Sequence, residues 1–327
     1  MIEEVSEDLY RIELFLPKNY PPSVNIYVVR DGEKSLIIDA GLQVDECLEA
    51  MRTALKKLDV RIENADLFLT HCHGDHIGFV TTMMENGSTV YMNRLEAEHI
   101  RRIESGELAS EFRTIYEMGG FLEGNIGEIL SHLIRNDVKL ENTIPFQYIG
   151  YGYRFKTGKY EFTCMETPGH SKGHMCLYEP YKRLLLSGDH LLEDSGPVIP
   201  GRFDNDNPLK EYLSSLHSMN DLDIELVLPG HGRPFKDSKQ RIIDTIEHHY
   251  RENLNILSIL EGGAKTAYEI SLEIIGMRSK GSIKRLSVLQ VFVLVMGTLG
   301  RLRYLEDERK IKKSVRDNVA LFSLSQE

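Results

Sequence analysis

Tryptophan is absent from this chain of 327 residues, and aromatic side chains make up only 8% of it. Its four cysteines, Cys47, Cys72, Cys164 and Cys176, show neither a CxxC pair nor a paired-framework spacing. That excludes a disulfide-stapled scaffold and leaves free thiols in a reducing cytoplasm as the simplest reading. Long uncharged apolar runs are lacking too. The richest, residues 291–296, falls far short of the roughly 20 residues that cross a bilayer. The acidic start, residues 1–8, has neither the basic nor the apolar region of a signal peptide. A cytoplasmic protein with no membrane partner is therefore expected. Positive charge is scarce as well: 39 Lys and Arg face 50 Asp and Glu, a net −11 that argues against a polyanionic partner. The deficit is uneven, because residues 241–327 carry 14 basic against 11 acidic side chains. The shift marks a domain boundary near residue 240, giving 1–240 and 241–327.

What is present is a core of ample size, with 41% hydrophobic residues. Residues 24–30 and 33–39 read as two strands of a hairpin turning at Asp31-Gly32. Residues 44–58 keep helical spacing, with Val44, Cys47, Leu48, Met51, Leu55 and Leu58 on one face. A short strand, 65–70, follows. Strand, helix and strand in this order suggest an α/β layered core. Residues 94–137 turn helical and amphipathic, broken at Gly119-Gly120 and Gly124; this insertion is either a lid or a scaffold. Strands return at 151–155, 160–167, 175–179 and 183–187. Asn207 caps a helix opened by Pro208, and 226–228 is a last short strand.

Four metal-ligand side chains crowd into six residues at His71, His73, Asp75 and His76, in the run Thr-His-Cys-His-Gly-Asp-His-Ile-Gly over 70–78. Imidazole and carboxylate are the ligands a borderline cation such as zinc accepts. Cys72 lies between two of them, but neighbours in extended chain point to opposite sides, so it is not counted. His170, Asp189 and His231 each follow an apolar strand and a tight turn containing glycine. Strand ends on one edge of a sheet are neighbours in space, so these loops can converge on one site.

In this order the residues resemble the metallo-β-lactamase superfamily of binuclear metallohydrolases, whose signature is HxHxDH, a distant His, a bridging Asp and a final His. Residues 5–235 fit that pattern. The resemblance implies a four-layer αβ/βα sandwich with the site at one edge of its two sheets. It implies two divalent metal ions, zinc foremost, with iron or manganese as alternatives. One would take His71, His73 and His170, the other Asp75, His76 and His231, with Asp189 bridging. Asp75 and Asp189 are the expected catalytic carboxylates, and Asp39 matches a supporting carboxylate behind the ligands. Gly78-Phe79 stands where the family often has a glycine pair. The β-lactam-hydrolysing branch has a different ligand set without the bridging Asp, which argues against antibiotic hydrolysis. His174 and His190 lie beside ligands in sequence, where they either touch substrate or make structural hydrogen bonds.

The tail reads as a helix over 241–260, a helix opened by a Thr266/Glu269 capping box, a helix over 284–299 and a charged hairpin-like stretch, 301–313. This resembles the winged-helix-like domain of one superfamily branch, which includes an endoribonuclease. The third helix is apolar on nearly every face, whereas a groove-reading helix needs exposed polar side chains. It is expected to be buried, against the catalytic domain or in a homodimer. Hydrolysis of a small thioester or ester is the leading expectation; single-strand RNA cleavage is the alternative, resting on the tail and on the basic cluster 278–285.

Overall fold

Residues 23–29 can be buried on both faces because every one of them is apolar or finds a hydrogen-bond partner, and such a strand belongs in the middle of a layered structure. The computed structural model describes residues 1–17, 20–32, 34–121, 126–133, 145–194, 196–278 and 286–325. Its first sheet has seven strands in sequential order: β1 (Ile2–Ser6), β2 (Leu9–Phe15), β3 (Ser23–Val29), β4 (Ser35–Ile38), β5 (Ala65–Phe68), β6 (Val90–Asn93) and β7 (Gln147–Ile149). The first four are antiparallel and the rest parallel. The second sheet contains β8 (Arg154–Thr157), β9 (Tyr160–Glu166), β10 (Met175–Glu179), β11 (Leu184–Gly188) and β12 (Leu226–Pro229), in the order β12-β11-β10-β9-β8.

Period-two alternation decides which side chain faces which layer. Tyr27, Val29, Leu36, Ile38 and Phe68 point between the sheets, against Phe162, Cys164, Leu177 and Leu186. Ile26, Val28, Ile37 and Leu67 point the other way, under helix α1 (Asp45–Lys57). Two short helices, α2 (Gly74–Ile77) and α3 (Val80–Glu85), and then α4 (Arg94–Glu104) complete that outer layer. Helix α5 (Glu107–Met118) and helix α6 (Ile126–Leu133) come next in the chain. On the far side of the second sheet, Cys176, Leu185 and Val227 pack under α7 (Pro208–Met219) and the start of α8 (Ser238–Leu260). The four-layer α/β sandwich expected from the sequence is thus present.

The tail adds α9 (Ala267–Arg278), α10 (Val288–Asp307) and a hairpin of β13 (Ile311–Arg316) with β14 (Val319–Leu324). The Thr266/Glu269 capping box forms, with bonds of 2.8 and 3.1 Å. The strand read over 151–155 is β8, Arg154–Thr157, and the largest difference from the sequence reading is in the tail. Helix α10 runs to Asp307, so most of the stretch 301–313 is helix and the hairpin begins only at Ile311. The reason is that Leu302 and Leu305 continue the buried stripe of Phe292, Val295 and Leu299. By length and composition α10 could cross a bilayer; in this fold its buried stripe joins a third core. That core also takes Leu108, Phe112 and Ile115 of α5, Ile129 of α6, and Ile256, Ile259 and Leu260 of α8. The helical segment in the first half of the chain and the tail therefore share one apolar interior. Residues 122–125 and 134–144, which include Gly124, and most of the basic cluster, 279–285, lie outside the described residues.

Candidate metal centre

Four of the expected ligands follow strand ends, and Asp75 and His76 lie on the short helix α2, which His73 caps. His71 follows β5, His170 follows β9, Asp189 follows β11 and His231 follows β12, all at one edge of the two sheets. Turns this tight need room. A Cβ on Gly230 would stand 2.5 Å from Asp189 Oδ1 and 3.0 Å from the His76 ring, so only glycine lets the last ligand loop close on the third.

The seven side chains fall into two groups whose ligand atoms lie within 4.8 Å of one another: His71, His73, His170 and Asp189, and Asp75, His76 and His231. In the first, His73 Nδ1 is 3.0 Å from both His71 Nε2 and His170 Nε2. In the second, His231 Nε2 is 3.3 Å from His76 Nε2 and 3.4 Å from Asp75 Oδ2. Asp189 spans the two. Its Oδ2 is 3.5 Å from His170 Nε2 and 3.4 Å from His231 Nε2, and its Oδ1 is 3.6 Å from His76 Nε2.

Hydrogen bonds on the reverse sides fix which nitrogen faces inward. His170 Nδ1 donates to the Val198 carbonyl at 2.9 Å, and His231 Nδ1 donates to the Ser23 carbonyl at 2.7 Å. A carbonyl only accepts, so each Nε2 is left with its lone pair toward the centre. His76 Nδ1 is 2.8 Å from Asp39 Oδ2. His71 Nδ1 reaches Thr70 Oγ1 at 3.0 Å, and that hydroxyl donates to Asp39 at 2.9 Å. Asp39 therefore stands behind both groups, as the resemblance implied. Such partners orient a ligating imidazole and raise its basicity.

The electrostatics suit a divalent cation. Burial holds His71 and His73 well below the usual histidine range, with neighbouring imidazoles adding to it. Burial opposes charge on His76 too, yet Asp189, Asp39 and Asp75 together outweigh it and push this group up to about 10. Asp189 is drawn well below the carboxylate range: burial would raise it, but His231 and His76 prevail. Its Oδ1 is buried without a hydrogen-bond partner among the described residues. A buried anionic oxygen without a hydrogen bond, set among converging imidazoles, is what a site built for divalent cations presents.

His174 turns out to be structural. Its Nε2 accepts the Asp189 backbone N–H at 3.1 Å, and its Nδ1 donates to Thr167 Oγ1 at 2.7 Å, so this ring orients Asp189. His190 is fully buried against Tyr212, with neither ring nitrogen hydrogen-bonded among the described residues. The residue that sequence reasoning missed is Glu96. It is 1% exposed and accepts the Cys72 N–H at 2.8 Å and the Gly173 N–H at 2.6 Å, tying two ligand loops together. A carboxylate on the stripe that Ala97, Ile100 and Ile103 define was the available signal. Beside the centre opens a cleft of about 650 Å³, whose lining includes His73, Asp75, Leu95, Ile103, Phe112 and Arg202.

Residues 19–231 match the model of the metallo-beta-lactamase superfamily. The beta-lactamase-like protein 2 homolog of Caenorhabditis elegans is 24% identical, over 80% of this chain and 73% of its own. An atrochrysone carboxyl ACP thioesterase of Cryptosporiopsis is 24% identical over 86% of this chain and 70% of its own. The crystal structure of a metallo-beta-lactamase family protein from Thermus thermophilus superposes with a TM-score of 0.83 at 24% identity, covering 97% of this chain and 98% of that one. With the ligand loops at the sheet edge and this match over most of its length, the chain belongs to the metallo-beta-lactamase superfamily.

Proposed function

We propose that the protein is a binuclear metal-dependent hydrolase of a small thioester or ester. The observation that carries this reading is Asp189, shared between two clusters of inward-facing donors and with a buried oxygen that has no hydrogen bond among the described residues. His71, His73 and His170 would hold one divalent cation, Asp75, His76 and His231 the other, with Asp189 between them. Zinc is the first candidate from the nitrogen and oxygen donors; iron and manganese accept the same set. Two such ions, when bound, supply hydroxide at neutral pH and polarise the scissile carbonyl. The chain's own residues fix where this happens. Asp39 and the carbonyls of Ser23 and Val198 hold the imidazoles, and the cleft lining positions the acyl group.

The cleft favours small substrates over polyanions. Arg202 pairs with Glu111 at 2.8 Å, Arg102 with Glu107 at 2.8 Å, and Lys172 with Asp206. These cations of the lining are already neutralised, whereas a nucleic-acid groove needs a positive track. The similarity to a fungal thioesterase points the same way. The alternative, RNA cleavage, keeps one supporting observation: β13 exposes Lys312, Lys313 and Arg316.

The test is metal analysis followed by a thioester panel beside a single-stranded RNA, with wild type and Asp189→Ala. Thioester turnover and bound metal, both lost in the variant while the RNA stays intact, is the expected result. RNA cleavage lost in the same variant would reverse the assignment, and a metal-free, inactive wild type would end it.

A further inference from the structure

Behind residues 196–199 lies a second cavity, of about 140 Å³, between that loop and helices α8, α9 and α10. Pro197, Val198 and Ile199 form one wall, and Ile274 and Leu294 lie among the apolar residues opposite. His249, 1% exposed, stands at its polar end. Arg301 Nη1 is 2.9 Å from His249 Nδ1. A guanidinium only donates, so Nδ1 accepts and the ring hydrogen sits on Nε2. Burial, reinforced by Arg301, keeps the ring neutral, its pKa pushed down to about 3. The Nε2–H is buried and has no acceptor among the described residues. It faces Gly196, where a methyl group would stand 3.7 Å from it.

A buried donor without an acceptor is uncommon in a folded protein, and a molecule in this cavity would complete it. Arg301 and Glu252 contribute one charge of each sign to the lining, which favours an uncharged occupant. A cavity of roughly 150 Å³ can hold a molecule the size of benzene, so about six heavy atoms is the upper bound here. The loop has two faces. One lines the cavity; the other supplies the Val198 carbonyl that receives the His170 Nδ1–H at 2.9 Å.

We propose that this cavity is a second ligand site. It takes a compact uncharged molecule whose carbonyl or hydroxyl oxygen accepts the His249 Nε2–H, and its occupancy is felt at His170 through the Val198 carbonyl. The binding half stands independently of the hydrolase reading, since it involves none of the seven clustered ligands.

The experiment is a titration of full-length protein labelled with ¹⁵N-histidine, followed by ring-nitrogen NMR. The probes are acetamide and, in parallel, sodium acetate. Acetamide is expected to move the His249 Nε2–H signal saturably and the His170 Nδ1 signal with the same midpoint, with acetate at least tenfold weaker. Gly196→Ala puts a methyl against Nε2 while leaving the imidazole in place, and His249→Phe keeps the ring volume while removing the donor. Both should abolish the saturable response, and Gly196→Ala should do so with an unchanged circular dichroism spectrum. A His249 signal that acetamide never moves, or moves equally in Gly196→Ala, overturns the site. Tighter binding of acetate overturns the uncharged class, and saturation at His249 without a response at His170 overturns the communication.

Discussion

Glu96 does for two loops what a disulfide would do in an oxidised protein: one buried carboxylate holds the Cys72 and Gly173 amides, and through them His73 and His170. Glu96→Gln would turn an amide NH2 toward one of those N–H donors. Losses of about 10- to 100-fold follow when supporting partners of metal ligands are removed. We expect kcat/KM to fall by that factor, with the bound metal content falling and the circular dichroism unchanged. Full activity and full metal content would show that the loops hold themselves. A second prediction concerns acid. Burial pushes both His190 and His249 down to about 3. The unfolded chain takes up protons near 6.5 while the folded one refuses them, so stability is complete above about 6.5 and falls as the pH drops toward 3. At pH 5 each should cost about 2 kcal/mol. Denaturant titrations at pH 7 and 5 check this, and a flat profile would mean that both rings reach water. The first four of the clustered side chains were legible at this scale because HxHxDH is a local spacing. Glu96 and His174 were not, because what defines them is a bond to an amide far away in sequence.

At the scale of elements, the loop that holds His170 is pinned by α10. The Gly201 N–H donates to the Met296 carbonyl at 2.8 Å, and a Cβ on Gly201 would come within 2.1 Å of the Gly300 nitrogen. Backbone meets backbone there, so nothing flexible can yield. Gly201→Ala should destabilise the fold by about 1–3 kcal/mol, lowering the melting temperature by several degrees in calorimetry; an unchanged value would show that the helix can retreat freely. Periodicity and caps made most elements readable: α1, α7 and α9 begin within a residue of the positions that spacing and capping residues indicate. The end of α10 was misread because charge at Arg301 and Arg303 looked like an exposed stretch, while the apolar stripe continued beneath it.

At the scale of the molecule, the third core binds the tail to helices α5 and α6. Truncation after residue 240 would uncover Leu108, Phe112, Ile115 and Ile129. At roughly 2 kcal/mol each their burial amounts to about 8 kcal/mol, comparable to the entire stability of a typical domain. The shortened chain is expected to aggregate or to lose its cooperative melting transition. A soluble fragment that melts sharply would show that residues 1–240 fold alone. Size-exclusion chromatography of the full chain tests whether the tail also joins two copies, the other expectation for its apolar helix; a monomer would exclude it.

The sequence by itself determined the class of fold, the seven candidate ligands and their order, since alternation, helical spacing and ligand chemistry are all written within short windows of chain. The tertiary structure alone decided that Asp189 stands between two clusters, that Glu96 ties their loops, and that the tail shares a core with a segment more than a hundred residues before it. Those are contacts between distant windows, and they form only when the sheets stack and bring the strand ends together.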